Sequence, residues 1–281
     1  MNAGDASASD DGPSDERPHG ISGPTPTAAA HADSRTTWLL VLAAAMAALV
    51  SWGVGETFYD VIPAQRVSQN LMGTMIMAPN MATESVATVR NGALTFGISG
   101  LCVAGFLGVA GGLARRSIPA MIAAGLLGAI LGFILAAGLC LALIPKILDA
   151  RDQYLEYELA ILFAMHGVIW GFIGALAAFA FAIGLGQRRF MIRVLLSGFI
   201  GAVMASILYG LIGAAVFPLA ETSQPVSNSW KTRLLAQFLL AGMTALFLAV
   251  AARDGRRDRR ATTVAGDQGA KPRTETSPTQ L

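Results

Sequence analysis

Two long stretches of this chain are almost free of charge. Between Asn91 and Pro145 only Arg115 and Arg116 are charged, and between Leu159 and Pro218 only Arg188, Arg189 and Arg193. Each stretch far exceeds the roughly 20 apolar residues that cross a bilayer. A soluble helix would carry a polar face at the helical period, and these segments are apolar all round. The composition agrees, with 14% charged residues against about a quarter in soluble domains. The chain therefore reads as an all-α integral membrane protein.

Within this region a glycine-rich helical hairpin reads as written twice. The segment from Arg115 to Pro145, RRSIPAMIAAGLLGAILGFILAAGLCLALIP, aligns at an offset of 73 residues with RRFMIRVLLSGFIGAVMASILYGLIGAAVFP, from Arg188 to Pro218. Upstream the match loosens, but Asn91-Gly92 falls near His166-Gly167, and Gly97 and Gly100 fall near Gly171 and Gly174. The reading is a two-helix unit used twice in one membrane orientation, helices two and three repeated as four and five.

Six spans follow, at about 37–55, 92–113, 118–144, 159–185, 191–217 and 234–252, forming a membrane domain over 37–252. Residues 1–36, rich in Ala, Ser, Pro, Gly and Asp, read as a disordered leader, and 253–281 as a basic and then disordered tail. The leader is long and acidic, so the first apolar segment is expected to be retained as a helix, with a late cleavage as the alternative. Pro145 is expected to close the third helix. Residues 56–90 form the longest polar connection, in which Val67–Ala82 reads as a short helix or a re-entrant element, or the whole as a surface loop.

Basic residues near helix ends set the orientation. One side collects Arg35, Arg115, Arg116, Arg188, Arg189, Arg193, Arg253, Arg256, Arg257, Arg259 and Arg260; the other holds Arg66, Arg90, Lys146, Arg151, Lys231 and Arg233 among acids. Eleven against six places both termini in the cytoplasm, in a prokaryotic-type inner or plasma membrane. The arginines also suit anionic lipid head groups. The net charge of +2 gives no nucleic-acid signature. A homo-oligomer or a larger membrane complex is compatible with the pattern.

Gly125, Gly128 and Gly132, with Gly198 and Gly201 in the second copy, recur at three- and four-residue spacings, as do Gly97, Gly100, Gly171 and Gly174. Such spacings put small residues on one helix face, where backbones can approach closely. These glycines are read as packing residues.

His166 is the sharpest single residue. Glu158 lies about 12 Å of helix away, which places the imidazole inside the apolar region, and an ionisable group there invites a functional reading. Asn91 sits at the related position of the other hairpin, and Tyr209, Ser206, Thr95 and Ser99 lie in the same half of their helices. Together they can line an outward-facing pocket; the simpler reading is that each is satisfied locally by backbone carbonyls. Trp170 and Trp52 read as interface or lipid-facing residues. Glu56 and Asp60 read as a solvated helix stop. Cys102 and Cys140 lie in different helices at different depths and read as small packing residues. Met72, Met75, Met77 and Met81 offer soft thioethers that Cu(I) would accept, but burial of the loop against the bundle accounts for them as simply.

None of the patterns GxxxxGK[ST], HExxH, CxxC or GxSxG occurs. No cofactor is called for. The residues favour a non-enzymatic membrane protein, such as a scaffold or complex subunit. A transporter or channel with a site near His166 is the alternative, and a membrane enzyme comes third.

Overall fold

The computed structural model describes residues 26–72, 74–153, 158–186, 191–217 and 224–269. It contains six helices, α1 (Pro26–Thr57), α2 (Met81–Ala114), α3 (Ile118–Gln153), α4 (Glu158–Leu185), α5 (Met191–Val216) and α6 (Trp230–Gly269), and two short strands, β1 (Arg66–Leu71) and β2 (Thr74–Pro79). All six helices contain a stretch long and apolar enough to cross a membrane, so the protein is a multi-pass helical bundle.

Several boundaries differ from those read in the sequence. α1 begins at Pro26 and α6 continues to Gly269, so both helices run beyond the apolar segments into the sequence assigned to leader and tail. α2 starts at Met81, eleven residues before Gly92, because Asn80 caps it: its Oδ1 accepts from the Thr83 amide (2.9 Å) while the Thr83 Oγ1 accepts from the Asn80 amide (3.0 Å). α3 passes through Pro145 to Gln153. Proline forfeits one backbone hydrogen bond inside a helix, a loss that membrane helices accommodate.

The larger correction concerns residues 67–80, which do not form the short helix read from the sequence. β1 and β2 are an antiparallel hairpin, with Arg66 opposite Pro79 and Leu71 opposite Thr74, joined through Met72 and Gly73. A two-residue connection of this kind requires positive φ, and Met72 adopts φ +52°.

α2 packs on α1, α3 and α4; α4 also packs on α5, α5 on α6, and α6 back on α1. Helices α1, α2, α4, α5 and α6 thus close a ring, and α3 lies outside it against α2 and α4. The bundle is held by two kinds of seam. Along α2/α3, α2/α4 and α4/α5 the backbones touch. A Cβ added at Gly100 would strike the Gly132 carbonyl, one at Gly128 the Ala104 carbonyl (2.5 Å), one at Gly174 the Gly198 carbonyl, and one at Gly184 the Gly108 carbonyl (2.7 Å). Gly97 faces Phe133 (3.0 Å), Gly171 faces Phe199 (2.7 Å), Gly125 faces Val109 (2.7 Å) and Gly201 faces the Met243 carbonyl of α6 (2.8 Å). Cys102 and Cys140 are free and buried.

The α1/α6 seam is instead tied by polar side chains at three levels: Arg233 to Glu56, Ser51 to Gln237 (3.0 Å) and Arg253 to Thr37 (3.3 Å). At the α2/α3 turn Arg116 takes φ +59°, and Arg115 lies against Gly186, which ends α4 with φ +69°. A side chain at Gly186 would meet the Arg115 guanidinium at 2.7 Å, so the ends of α2 and α4 meet at one face of the bundle. Arg188 and Arg189 lie outside the described residues. So do the side chains of Arg256, Arg257, Arg259 and Arg260, although their backbone continues α6.

Candidate functional site

The ring encloses a pocket near its β-hairpin end, built from five helices and the α5–α6 link. Its floor is a chain of hydrogen bonds. Ser51 (α1) donates to the Gln237 Oε1 (α6, 3.0 Å), the Gln237 Nε2 donates to the Ser99 Oγ (α2, 2.8 Å), and Ser99 donates to the Thr95 carbonyl (2.9 Å). Every polar atom in that chain has a partner, as burial in an apolar bundle demands. Beyond the floor Leu40, Ala47, Val103, Leu107 and Leu248 are all buried in one apolar core.

One wall is aromatic. His166 and Trp170, one helical turn apart on α4, meet Tyr209 of α5, with ring centroids 6.1 Å (His166–Trp170), 6.0 Å (His166–Tyr209) and 5.4 Å (Trp170–Tyr209) apart. His166 is edge-on to Trp170, at 88° between planes, the arrangement favoured by ring quadrupoles. Ser227 of the α5–α6 link also lines the pocket, its hydroxyl 2.6 Å from that of Thr232.

The rim is charged but internally neutral. Arg233, on the first turn of α6, donates from Nε and Nη2 to the two carboxylate oxygens of Glu56 (2.7 and 2.6 Å), and from Nη1 to the Ser227 carbonyl (2.9 Å). Its guanidinium carbon stacks 3.6 Å from the Tyr59 ring centre. A bidentate pair with a stacked guanidinium uses the features that distinguish arginine from lysine. Beside it Trp52 packs on Trp230 with centroids 6.2 Å apart.

The inner pocket holds about 40 Å³ of space. It meets a vestibule of about 550 Å³ that reaches the base of the β-hairpin at Arg66 and Pro79. Tyr59, Thr95 and Val226 line both. Two donors in this region have no acceptor: the indole Nε1 atoms of Trp52 and Trp170 are buried and unbonded, and both residues line the inner pocket. A buried unpaired donor costs about 1–3 kcal/mol.

Of the polar residues grouped from the sequence, His166, Tyr209, Thr95 and Ser99 come together in the pocket. Asn91 does not join them. It lines the vestibule and fastens the segment after α1, accepting from the Ile62 amide (3.1 Å) and donating to the Ile62 carbonyl (3.0 Å) and Asp60 (3.0 Å). Ser206 is buried toward α4, its Oγ bonded to the Val203 carbonyl (2.8 Å). Trp170 is a wall of the pocket, only 2% exposed, rather than lipid-facing. Glu56 is paired rather than merely solvated. Ser51, Gln237, Arg233 and Glu56 were not grouped with His166 from the sequence. The available signal was weak: Ser51 and Gln237 are polar residues inside apolar spans. Among the described residues no group of three or more His, Cys, Asp or Glu side chains could hold a metal ion. Compared with known proteins, the chain matches no family model, no curated protein and no solved structure.

Proposed function

We propose that this is a non-enzymatic membrane protein that binds a small uncharged solute in the five-helix pocket, entering from the β-hairpin side. The observation that carries this reading is the pair of buried indole N–H groups with no partner on the protein, those of Trp52 and Trp170, both residues lining one pocket. An indole N–H can only donate, so the missing partner is an acceptor. Glu56 and Arg233 are the charged side chains lining the inner pocket and cancel each other, which disfavours a full charge on the group that enters it; Asp60, Arg66 and Glu84 line the vestibule outside. The inner volume takes only an end group, about the size of two or three waters; the body of the solute would occupy the vestibule. Apolar walls with a few placed polar groups are the usual make-up of a small-molecule site.

The test is thermal unfolding of the detergent-solubilised protein with a panel of small amides, ketones and lactams, and their carboxylate counterparts. A member of the uncharged set should raise the unfolding midpoint of the native protein. Trp170→Phe keeps a large apolar ring and deletes the N–H, so it should weaken that ligand about tenfold, the worth of one hydrogen bond. Preference for the carboxylates, or equal binding by Trp170→Phe, sinks the proposal.

Transport of the same solute is the second reading. A pocket open at one end above a hydrogen-bonded floor is half of an alternating-access cycle, and passage would require the Ser51–Gln237–Ser99 chain to part. On this reading the hairpins α2/α3 and α4/α5 are copies. The recurrence of contacts supports that: Gly97 against Phe133 and Ala137 is matched by Gly171 against Phe199 and Val203, and Gly100 against Gly132 and Ala136 by Gly174 against Gly198 and Ala202. The offset is 74 residues for α2 onto α4 and 66 for α3 onto α5. It is not the 73 of the sequence alignment, and Gly125 and Gly198, superposed by that alignment, have different neighbours. A scaffold role would need the glycine seams and leave the indole donors unexplained.

Both termini are assigned to the cytoplasm of a prokaryotic-type membrane, with the arginines at the turn end set against anionic head groups. In a background lacking Cys102 and Cys140, Ser68→Cys on β1 should react with an impermeant maleimide in intact cells. Ala261→Cys should react only after permeabilisation. Labelling of both from one side would overturn the assignment.

A further inference from the structure

The four methionines at 72, 75, 77 and 81 are not packed against the bundle. Their relative exposures are 101%, 67%, 64% and 89%. The packing explanation, in which methionine fills irregular apolar space, is therefore removed for all four. Large apolar side chains concentrated on an exposed hairpin require another account. The pattern of the segment, M-x₂-M-x-M-x₃-M, places four of the chain's eleven methionines within ten residues.

We propose that this hairpin is a thioether site for a soft monovalent cation of the Cu(I) class. Three observations carry it. Met75 and Met77 are two apart on β2, so both project from one face of the ribbon, about 7 Å apart along the strand. Met72 sits at the tip, and four residues farther along the chain Met81 opens α2. Each arm is unbranched with three rotatable bonds, so the sulfurs of Met75 and Met77 can gather on one ion without moving the backbone. Opposite Met75 and Met77 on the same face lie Asn70 and Ser68, whose hard nitrogen and oxygen atoms do not compete for a soft ion.

The second observation is Met72 itself. It holds φ +52°, a region that is disfavoured for a residue with a side chain and suits glycine or asparagine. A methionine kept there at conformational cost, with its side chain fully exposed, gains nothing from packing. The third is position. The hairpin base, at Arg66 and Pro79, lines the vestibule, so an ion held on the ribbon sits at the mouth of the bundle. This site is independent of the solute pocket and uses none of its residues.

Thioethers carry no proton at any ordinary pH, whereas His, Cys and carboxylate ligands must lose one before binding. Binding here should therefore be nearly the same at pH 5 and pH 7.5. Ag(I) is the redox-inert probe, titrated calorimetrically as silver nitrate into the full-length protein in chloride-free buffer. One Ag(I) per chain is expected, with affinity changed less than threefold between the two pH values, and no binding of Zn(II). Met75→Leu/Met77→Leu keeps the apolar surface and deletes two sulfurs, and should weaken Ag(I) at least tenfold. Replacement of all four methionines by leucine should abolish binding while helical content and elution volume stay unchanged. Undiminished binding by the four-leucine protein would place the silver elsewhere and overturn the proposal, as would no binding by the native chain. A tenfold weakening from pH 7.5 to 5 would identify a titrating ligand and overturn it as well. None of these outcomes bears on solute binding, which the Trp170→Phe comparison reads separately.

Discussion

Replacing Gly100 with leucine should prevent the bundle from assembling. The position meets the Gly132 carbonyl and carbon directly, with Ala136 behind them at 3.0 Å, so a new side chain would displace backbone and not a rotatable group. Overpacking a core costs about 1–3 kcal/mol when neighbours can turn aside. Here they cannot, and a loss of at least about 3 kcal/mol is expected, beyond that range because two helices must separate. In lipid no hydrophobic force restores the contact, because close packing is itself the main attraction between helices. The measurement is the recovery of monodisperse protein by fluorescence-detected size exclusion, followed by unfolding in a graded sodium dodecyl sulfate titration. Gly242→Ala is the control. A Cβ there meets nothing within 4 Å, and the gain in helix propensity should leave stability unchanged or raise it by up to about 1 kcal/mol. Comparable behaviour of the two variants would show that the α2/α3 seam is not the tight contact described.

Replacing Arg233 with methionine should destabilise the pocket rim by about 2–3 kcal/mol. The variant keeps an apolar stem against Tyr59 but strands the Glu56 carboxylate and frees the Ser227 carbonyl. Hydrogen bonds to charged groups contribute about 1.5–3 kcal/mol, and breaking a fully buried pair costs about 3–5. The pair is partly wet, with side-chain exposures of 12% for Arg233 and 26% for Glu56, so the lower part of that range applies. Glu56→Gln added to Arg233→Met removes the stranded charge and should restore about 1–2 kcal/mol, a coupling that a double-mutant cycle measures directly. A cost below about 0.5 kcal/mol for Arg233→Met would place the pair among ordinary surface bridges.

Membrane spanning was legible because it depends on local composition: the two charge-free stretches give four helices, and the apolar segments at 37–55 and 234–252 the other two. The ends were less so. Hydropathy marks where a helix leaves lipid, not where its backbone stops, so α2 was read from Gly92 although Asn80 caps it and α6 from Leu234 although it starts at Trp230. That second difference hid Arg233, which was placed in a link and not on a helical turn. The β-hairpin was missed because β2 is apolar on both faces, and its Met-Gly connection lacks the Asn-Gly or Asp-Gly signature. His166 could be singled out because an ionisable residue in an apolar run is conspicuous by itself. Its companions are not. Glu56 and Arg233 are 177 residues apart, and Ser51 and Gln237 186, so their meeting is a property of the ring and of no local pattern.

The ring also fixes an order of assembly. Domains and helices emerge from synthesis N-terminal first, yet α1 closes the ring only by meeting α6, which follows it by four other helices. Until then α1 has α2 alone as its neighbour, Ser51 and Glu56 have no partners across the seam, and the pocket has no fifth side. A chain halted after α5 would retain both glycine-packed hairpins and lack the five-helix pocket. The pocket therefore exists only once α6 has met α1, however early the glycine-packed hairpins form.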